Sequence, residues 1–153
     1  MKSKSQKDLV IISNVEKNSF YKELLEETKF DRDKRIKFVG TVYDQLLLKK
    51  IREQAYGYFH GHEVGGTNPS LLEALASTKL NLLLDVVFNK EVGEDGALYF
   101  TKNKNSLSNL INKVEEYTEE EIVAIGNRAK NRIINDYSWN KIVSEYELLF
   151  YKS

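Results

Sequence analysis

A three-layer, doubly wound α/β domain is the fold class this sequence predicts, and three observations predict it. Short apolar runs alternate with stretches of helical periodicity as far as residue 100. The runs are largely continuous in apolar character, as strands covered on both faces are. Strands joined by helices of this length form right-handed βαβ units and a mostly parallel, Rossmann-like sheet. A helical C-terminal tail follows.

The elements can be taken in order. Leu9-Val10-Ile11-Ile12 reads as a buried strand. Phe20, Tyr21, Leu24 and Leu25 have helical spacing, with Asn18 or Ser19 as the cap. Ile36-Lys37-Phe38-Val39 is a second strand, stopped by Gly40. Tyr43 to Arg52 reads as a helix with Leu46, Leu47 and Ile51 turned inward. Ala55 to His60 is the third strand, and Asn68 to Ser77 holds a short helix. Leu80 to Leu84 and Ala97 to Phe100 are the fourth and fifth strands, with Asp85, Asn89 and Glu91 in a polar loop between them. From Asn105 onward the pattern is helical. Thr118 with Glu121 forms a capping box ahead of Ile122, Ile125, Ala129 and Ile133. Ser138 caps a last helix whose stripe of Trp139, Ile142, Val143, Tyr146, Leu149 and Phe150 reads as packing surface.

Composition bounds the function. The 153 residues suit one domain, 1–153, with a flexible start over 1–7 where Lys2, Lys4 and Lys7 form a solvated end. Apolar residues are 41% and charged residues 30%, a globular mix. Lys plus Arg number 23 and Asp plus Glu 23, a balance that argues against a dedicated nucleic-acid binder. There is no cysteine, so disulfides and thiolate metal sites are excluded and a reducing cytoplasm is permitted. No apolar run approaches the ~18 residues of a membrane-spanning helix, and the polar start lacks the apolar stretch of a signal peptide.

The loop Gly61-His62-Glu63-Val64-Gly65-Gly66-Thr67-Asn68-Pro69-Ser70 is the chief candidate site. It leaves the third strand and enters a helix. Adjacent glycines let backbone N–H groups approach a ligand closely. Asn68 is placed as an N-cap and Pro69 as the first helical residue. The helix tip would then face the loop with its positive end, which suits a phosphate. Glu73, one turn in, could accept hydrogen bonds from a sugar hydroxyl. In doubly wound sheets ligands bind beyond the carboxyl ends of the strands. The loop of Gly40, Thr41 and Val42 and the residue Asp85 share that end, so three loops are expected to converge.

Each candidate has a plainer reading. Glycines are common in strand-to-helix turns, and Glu73 lies opposite Leu71, Leu72 and Leu75 on an exposed face. His60 and His62, with Glu63, suggest a metal, but no third ligand is evident from spacing. Their expected roles are hydrogen bonding or lining the crevice. No serine–histidine–acid series, Walker lysine or G-x-G-x-x-G pattern is present.

The stretch from Tyr58 to Leu75, supported by Asn89-Lys90-Glu91-Val92 and Tyr137-Ser138-Trp139, resembles the C-terminal half of family 4 glycosyltransferases of GT-B architecture. The likeness runs over about residues 8–151 and is closest to bacterial rhamnosyltransferases of capsule and cell-wall rhamnan synthesis. It implies a retaining, metal-independent hexosyltransferase with no cofactor beyond its substrate, dTDP-rhamnose or a UDP-sugar. It implies that Gly65, Gly66, Thr67, Asn68 and Ser70 line the diphosphate and sugar, that Gly40, Thr41 and Val42 contact the base, and that Glu73 binds the ribose. The family's E-x7-E motif has a sugar-contacting glutamate eight positions before the second one. Gly65 stands there instead, with Glu63 two residues early.

Family members also have an N-terminal acceptor domain, and a first donor-domain strand with a basic loop. Neither matches anything in this sequence, so a fragment without activity of its own is expected. The acceptor, a saccharide or lipid-linked saccharide, would belong to the other domain. The terminal helix would lack its partner and could self-associate. The full-length enzyme would be cytoplasmic, or peripheral at the inner face of the membrane. The rival reading is a non-catalytic nucleotide-binding or protein-interaction module.

Overall fold

The computed structural model describes residues 3–151. Along them run β1 (Leu9–Ile11), α1 (Ser19–Thr28), β2 (Ile36–Phe38), α2 (Gln45–Gln54), β3 (Tyr58–His60), α3 (Pro69–Ser77), β4 (Asn81–Leu84), α4 (Val87–Gly93), β5 (Leu98–Phe100), α5 (Ser106–Val114), α6 (Glu119–Asp136) and α7 (Trp139–Tyr151). The expected α/β alternation is present and every strand pair is parallel. The pairing departs from one continuous sheet. β1 pairs with β2, while β3, β4 and β5 form a second sheet with β4 in the middle.

Local signals set the helix ends. Of the two cap candidates for α1, Asn18 serves, accepting the Tyr21 N–H at 2.9 Å. α2 begins at Gln45 because the Asp44 carboxylate takes the N–H groups of Leu46 and Leu47. Thr118 and Glu121 cap α6 reciprocally.

The core is built around β4, whose four residues are all buried. On one face Leu83 meets Leu71 and Leu75 of α3, Val92 of α4 and Ala129 of α6. Leu80 and Leu82 pack with Val114 of α5 and Ile122 of α6 in a second cluster. Helices on both faces give the three layers. Each fully buried leucine contributes about 1.5–3 kcal/mol. Two glycines bring α6 close. A Cβ at Gly96 would stand 2.5 Å from the Ala129 backbone, and one at Gly126 would stand 2.7 Å from the Cα of Lys79.

Three expectations are corrected. The polar loop after β4 is instead α4 followed by a 3₁₀ turn, Glu94–Gly96. Its charged residues form an outer face, and Asn89 and Val92 are buried beneath. Leu46 and Leu47 do not turn inward, being 74% and 46% exposed. The stripe of α7 is largely uncovered, with Trp139 at 79% and Phe150 at 76% exposure. Amphipathic spacing identifies an apolar face and does not supply the element that would cover it.

At the amino end, Met1 and Lys2 lie outside the described residues. From Ser3 on, the segment runs beside α5. The Ser5 hydroxyl donates to Glu115 at 2.6 Å, and Lys7 pairs with the same carboxylate at 2.8 Å. Among the described residues no helix is long and apolar enough to cross a membrane.

Candidate functional site

β3 carries the chain to the carboxyl edge of its sheet, where residues 61–67 are exposed. Gly65 has φ +123°, a conformation side-chain-bearing residues rarely adopt. A Cβ at Gly61, Gly65 or Gly66 would meet no atom within 4 Å, so the loop faces open space. A ligand could therefore lie directly on its backbone.

The helix entry forms as the residues dictate. Asn68 is the N-cap of α3, accepting the Ser70 N–H at 2.9 Å, and Pro69 occupies the first turn. The consequence for an anion is specific. Pro69 has no N–H, that of Ser70 is held by the Asn68 side chain, and that of Leu71 bonds the Asn68 carbonyl at 2.9 Å. The helix tip is thus satisfied by its own cap. The loop residues Gly65, Gly66 and Thr67 and the residue Ser70 are all exposed.

Glu73 is half exposed and paired with Arg52 of α2 at 2.7 Å. Arg52 is well covered, its side chain 14% exposed, and its carbonyl accepts the Thr78 hydroxyl at 3.0 Å. The Tyr58 hydroxyl, pushed up mainly by burial, senses both members of this pair. Glu63 is engaged as well, in an ion pair with Lys102 beyond β5. That pair holds it toward β5.

His60 is buried at 1% exposure. Its Nδ1 lies 3.3 Å from the Tyr58 hydroxyl, its Nε2 has no partner, and its ring stacks on His62 with centroids 4.7 Å apart. Burial, and secondarily the His62 charge, pushes its pKa down to about 4. The ring is therefore neutral at physiological pH. Among the described residues no group of three or more His, Cys, Asp or Glu side chains is placed to hold a metal ion.

Sequence reasoning did not foresee the roles of three residues. Asn89 is fully buried, and its amide donates both to the Leu84 carbonyl at 3.0 Å and to the His62 carbonyl at 3.1 Å. One side chain thereby ties the glycine loop to the end of β4. A buried asparagine donating twice to backbone is a positioning device, and only the pairing of distant carbonyls reveals it. Arg52 and Lys102 were invisible for the same reason.

The three expected loops fall into two groups. The loops after β3, β4 and β5 are joined through Asn89 and through Glu63–Lys102. The loop of Gly40, Thr41 and Val42 joins the one after β1, where the Asn14 N–H meets the Thr41 hydroxyl at 3.1 Å. Among the described residues no hydrogen bond or ion pair links the two groups.

The chain is therefore a doubly wound α/β protein with its candidate site beyond the carboxyl ends of parallel strands. No protein-family model matches it, and no curated protein does. Among solved structures it is similar to a sucrose-phosphate synthase from Thermosynechococcus elongatus, with a TM-score of 0.71 and 18% sequence identity. The match covers 95% of this chain and 38% of that one. At that identity the likeness shows the fold, an α/β arrangement found in a GT-B glycosyltransferase.

Proposed function

We propose that this chain is the donor-binding part of a glycosyltransferase, one that moves a sugar from a nucleotide-diphosphate donor to a saccharide acceptor. One observation carries the reading. An open glycine loop leads into a capped helix at the carboxyl edge of a parallel sheet, in a fold shared over 95% of the chain with a sucrose-phosphate synthase. The loop's N–H groups at Gly65, Gly66 and Thr67 and the Ser70 hydroxyl take the diphosphate. The Gly40 to Val42 backbone takes the base, and Glu73 takes the ribose hydroxyls.

In the reaction, the bond from the anomeric carbon to the diphosphate oxygen breaks. The acceptor hydroxyl oxygen bonds that carbon and passes its proton to the departing diphosphate oxygen. Negative charge grows on the diphosphate, and N–H donors already aimed there lower the barrier. The finer proposal is L-rhamnose carried on dTDP, transferred with retention and without a metal onto a lipid-linked saccharide of a bacterial surface polymer.

Calorimetric titration with dTDP, UDP and dTDP-rhamnose tests the reading. Glu73→Ala should weaken binding by roughly tenfold or more, since a charge-assisted hydrogen bond contributes about 1.5–3 kcal/mol. Binding of no nucleotide, or binding untouched by the substitution, would overturn it.

A second reading, a non-catalytic nucleotide-binding or interaction module, has one observation in its favour. Glu73 already has a covered partner in Arg52. If that pair is structural, Glu73→Ala lowers stability and leaves nucleotide affinity unchanged.

A further inference from the structure

Arg52 and Glu73 form an unequal pair. The Arg52 side chain, in the last turn of α2, is 14% exposed, and that of Glu73 on α3 is 49% exposed. Among the described residues the guanidinium has one hydrogen-bond or ion-pair partner, the Glu73 Oε2, 2.7 Å from its Nη1. A covered cation needs its counter-charge close by, whereas a half-exposed carboxylate can turn to water. The contact therefore fixes Glu73 in place rather than sheltering it.

Arg52 is itself held from a second direction. Its carbonyl accepts the hydroxyl of Thr78 at 3.0 Å, and Thr78 is the buried residue that ends α3. The helix that carries Glu73 is thus tied at its far end to the residue that grips the carboxylate in its middle. The Tyr58 hydroxyl on β3 lies close enough to sense both charges.

One consequence concerns the other carboxylate oxygen. With Oε2 on Arg52, Oε1 of Glu73 has no partner among the described residues. A glutamate that can turn freely gives up rotamer freedom when it takes a ligand. One already held has given up that freedom on folding, and binding then loses less to ordering.

We propose that Arg52 is a positioning residue for a ribonucleoside diphosphate: by holding one oxygen of Glu73 it presents the other to a ribose hydroxyl. This inference rests on the reading of Glu73 as the ribose contact. Arg52 acts through Glu73 and does not touch the ligand.

The test is calorimetry with two ligands, UDP and inorganic pyrophosphate, on the parent chain, Glu73→Ala, Arg52→Met and the double variant. Methionine keeps most of the aliphatic stem that packs between the helices, and Glu73 is left to water. Arg52→Met should weaken UDP by about fivefold or more and leave pyrophosphate, which has no ribose, within about twofold of the parent. The double variant should bind UDP no more weakly than Glu73→Ala alone, because residues that act as one unit do not add. UDP binding that falls in Glu73→Ala but not in Arg52→Met would overturn the inference and leave the donor reading standing. Equal weakening of both ligands, or a further loss in the double variant, would overturn it too, by making the effect of Arg52 a general one on the fold. No UDP binding by the parent, or binding indifferent to Glu73→Ala, removes the donor reading and this inference with it. Should Arg52→Met fail to fold, Arg52→Gln, which keeps a donor and loses the charge, is read in the same way, and unweakened UDP binding there would overturn the inference.

Discussion

Residues 6–59 and residues 60–137 are built on the same βαβ alternation, yet they differ in depth. Among the described residues the first stretch contains no buried side chain, and all thirteen buried apolar residues fall between Leu71 and Ala129. Propensity does not explain this, since α1 and α2 are well capped. The difference is neighbours. β4 has a strand on each side and helices on both faces, whereas β1 and β2 pair only with each other, and neither carries a fully buried residue. A parallel strand contributes stability only where both faces are closed over it.

The comparison can be broken by paired truncations. Leu83→Ala, at the centre of the β4 core, should cost about 2–5 kcal/mol, while Leu46→Ala, 74% exposed on α2, should change stability by less than about 0.5 kcal/mol. Urea midpoints at unchanged slope read both. Similar losses at the two positions would show that the amino-terminal half is as well packed as the rest.

A pH experiment sharpens the same contrast. His60 titrates at about 4 in the fold against an ordinary 6.5. Between these values the unfolded chain binds the extra proton, so stability rises with pH. The contribution is complete above 6.5 and is lost as pH falls toward 4. At about 1.4 kcal/mol per pH unit, the loss is up to about 3 kcal/mol. A His60→Gln variant should lose less stability than the parent between pH 7 and 4.5. Equal losses would assign the acid sensitivity elsewhere.

A loss smaller than those at Leu83 and His60 is expected at the α6 cap. Thr118→Ala should cost about 1 kcal/mol, and thermal unfolding would register it because α6 closes both core clusters. No change would mean that α6 is held by its packing alone.

What was legible in the sequence is what is local. Asn68, Pro69 and the Thr118–Glu121 box are decided within a turn of chain, and each stands where its residue types require. α4 was not legible, because Val86 offers no side-chain cap and the buried role of Asn89 depends on carbonyls five and twenty-seven residues away. Leu46 and Trp139 belong to real amphipathic patterns whose partners are absent from the described residues. The split between the sheets depends on edge pairing, to which no single strand's composition refers. At the site, the glycine loop was visible as a loop. The ion pairs that hold Glu73 and Glu63 join segments far apart in sequence.

On the proposed donor reading, Asn68 would place helix capping and ligand capture in competition. Its side-chain oxygen occupies the Ser70 N–H that an arriving anion would take. An anion at the helix tip therefore gains only the difference between its own hydrogen bond and a cap contributing about 1 kcal/mol. Free phosphate is a weak competitor on those terms. Under the proposed donor reading, a ligand with a second handle, reaching the loop amides or another part of the crevice, would displace the cap at little cost, and the helix tip would then filter by ligand size as well as by charge.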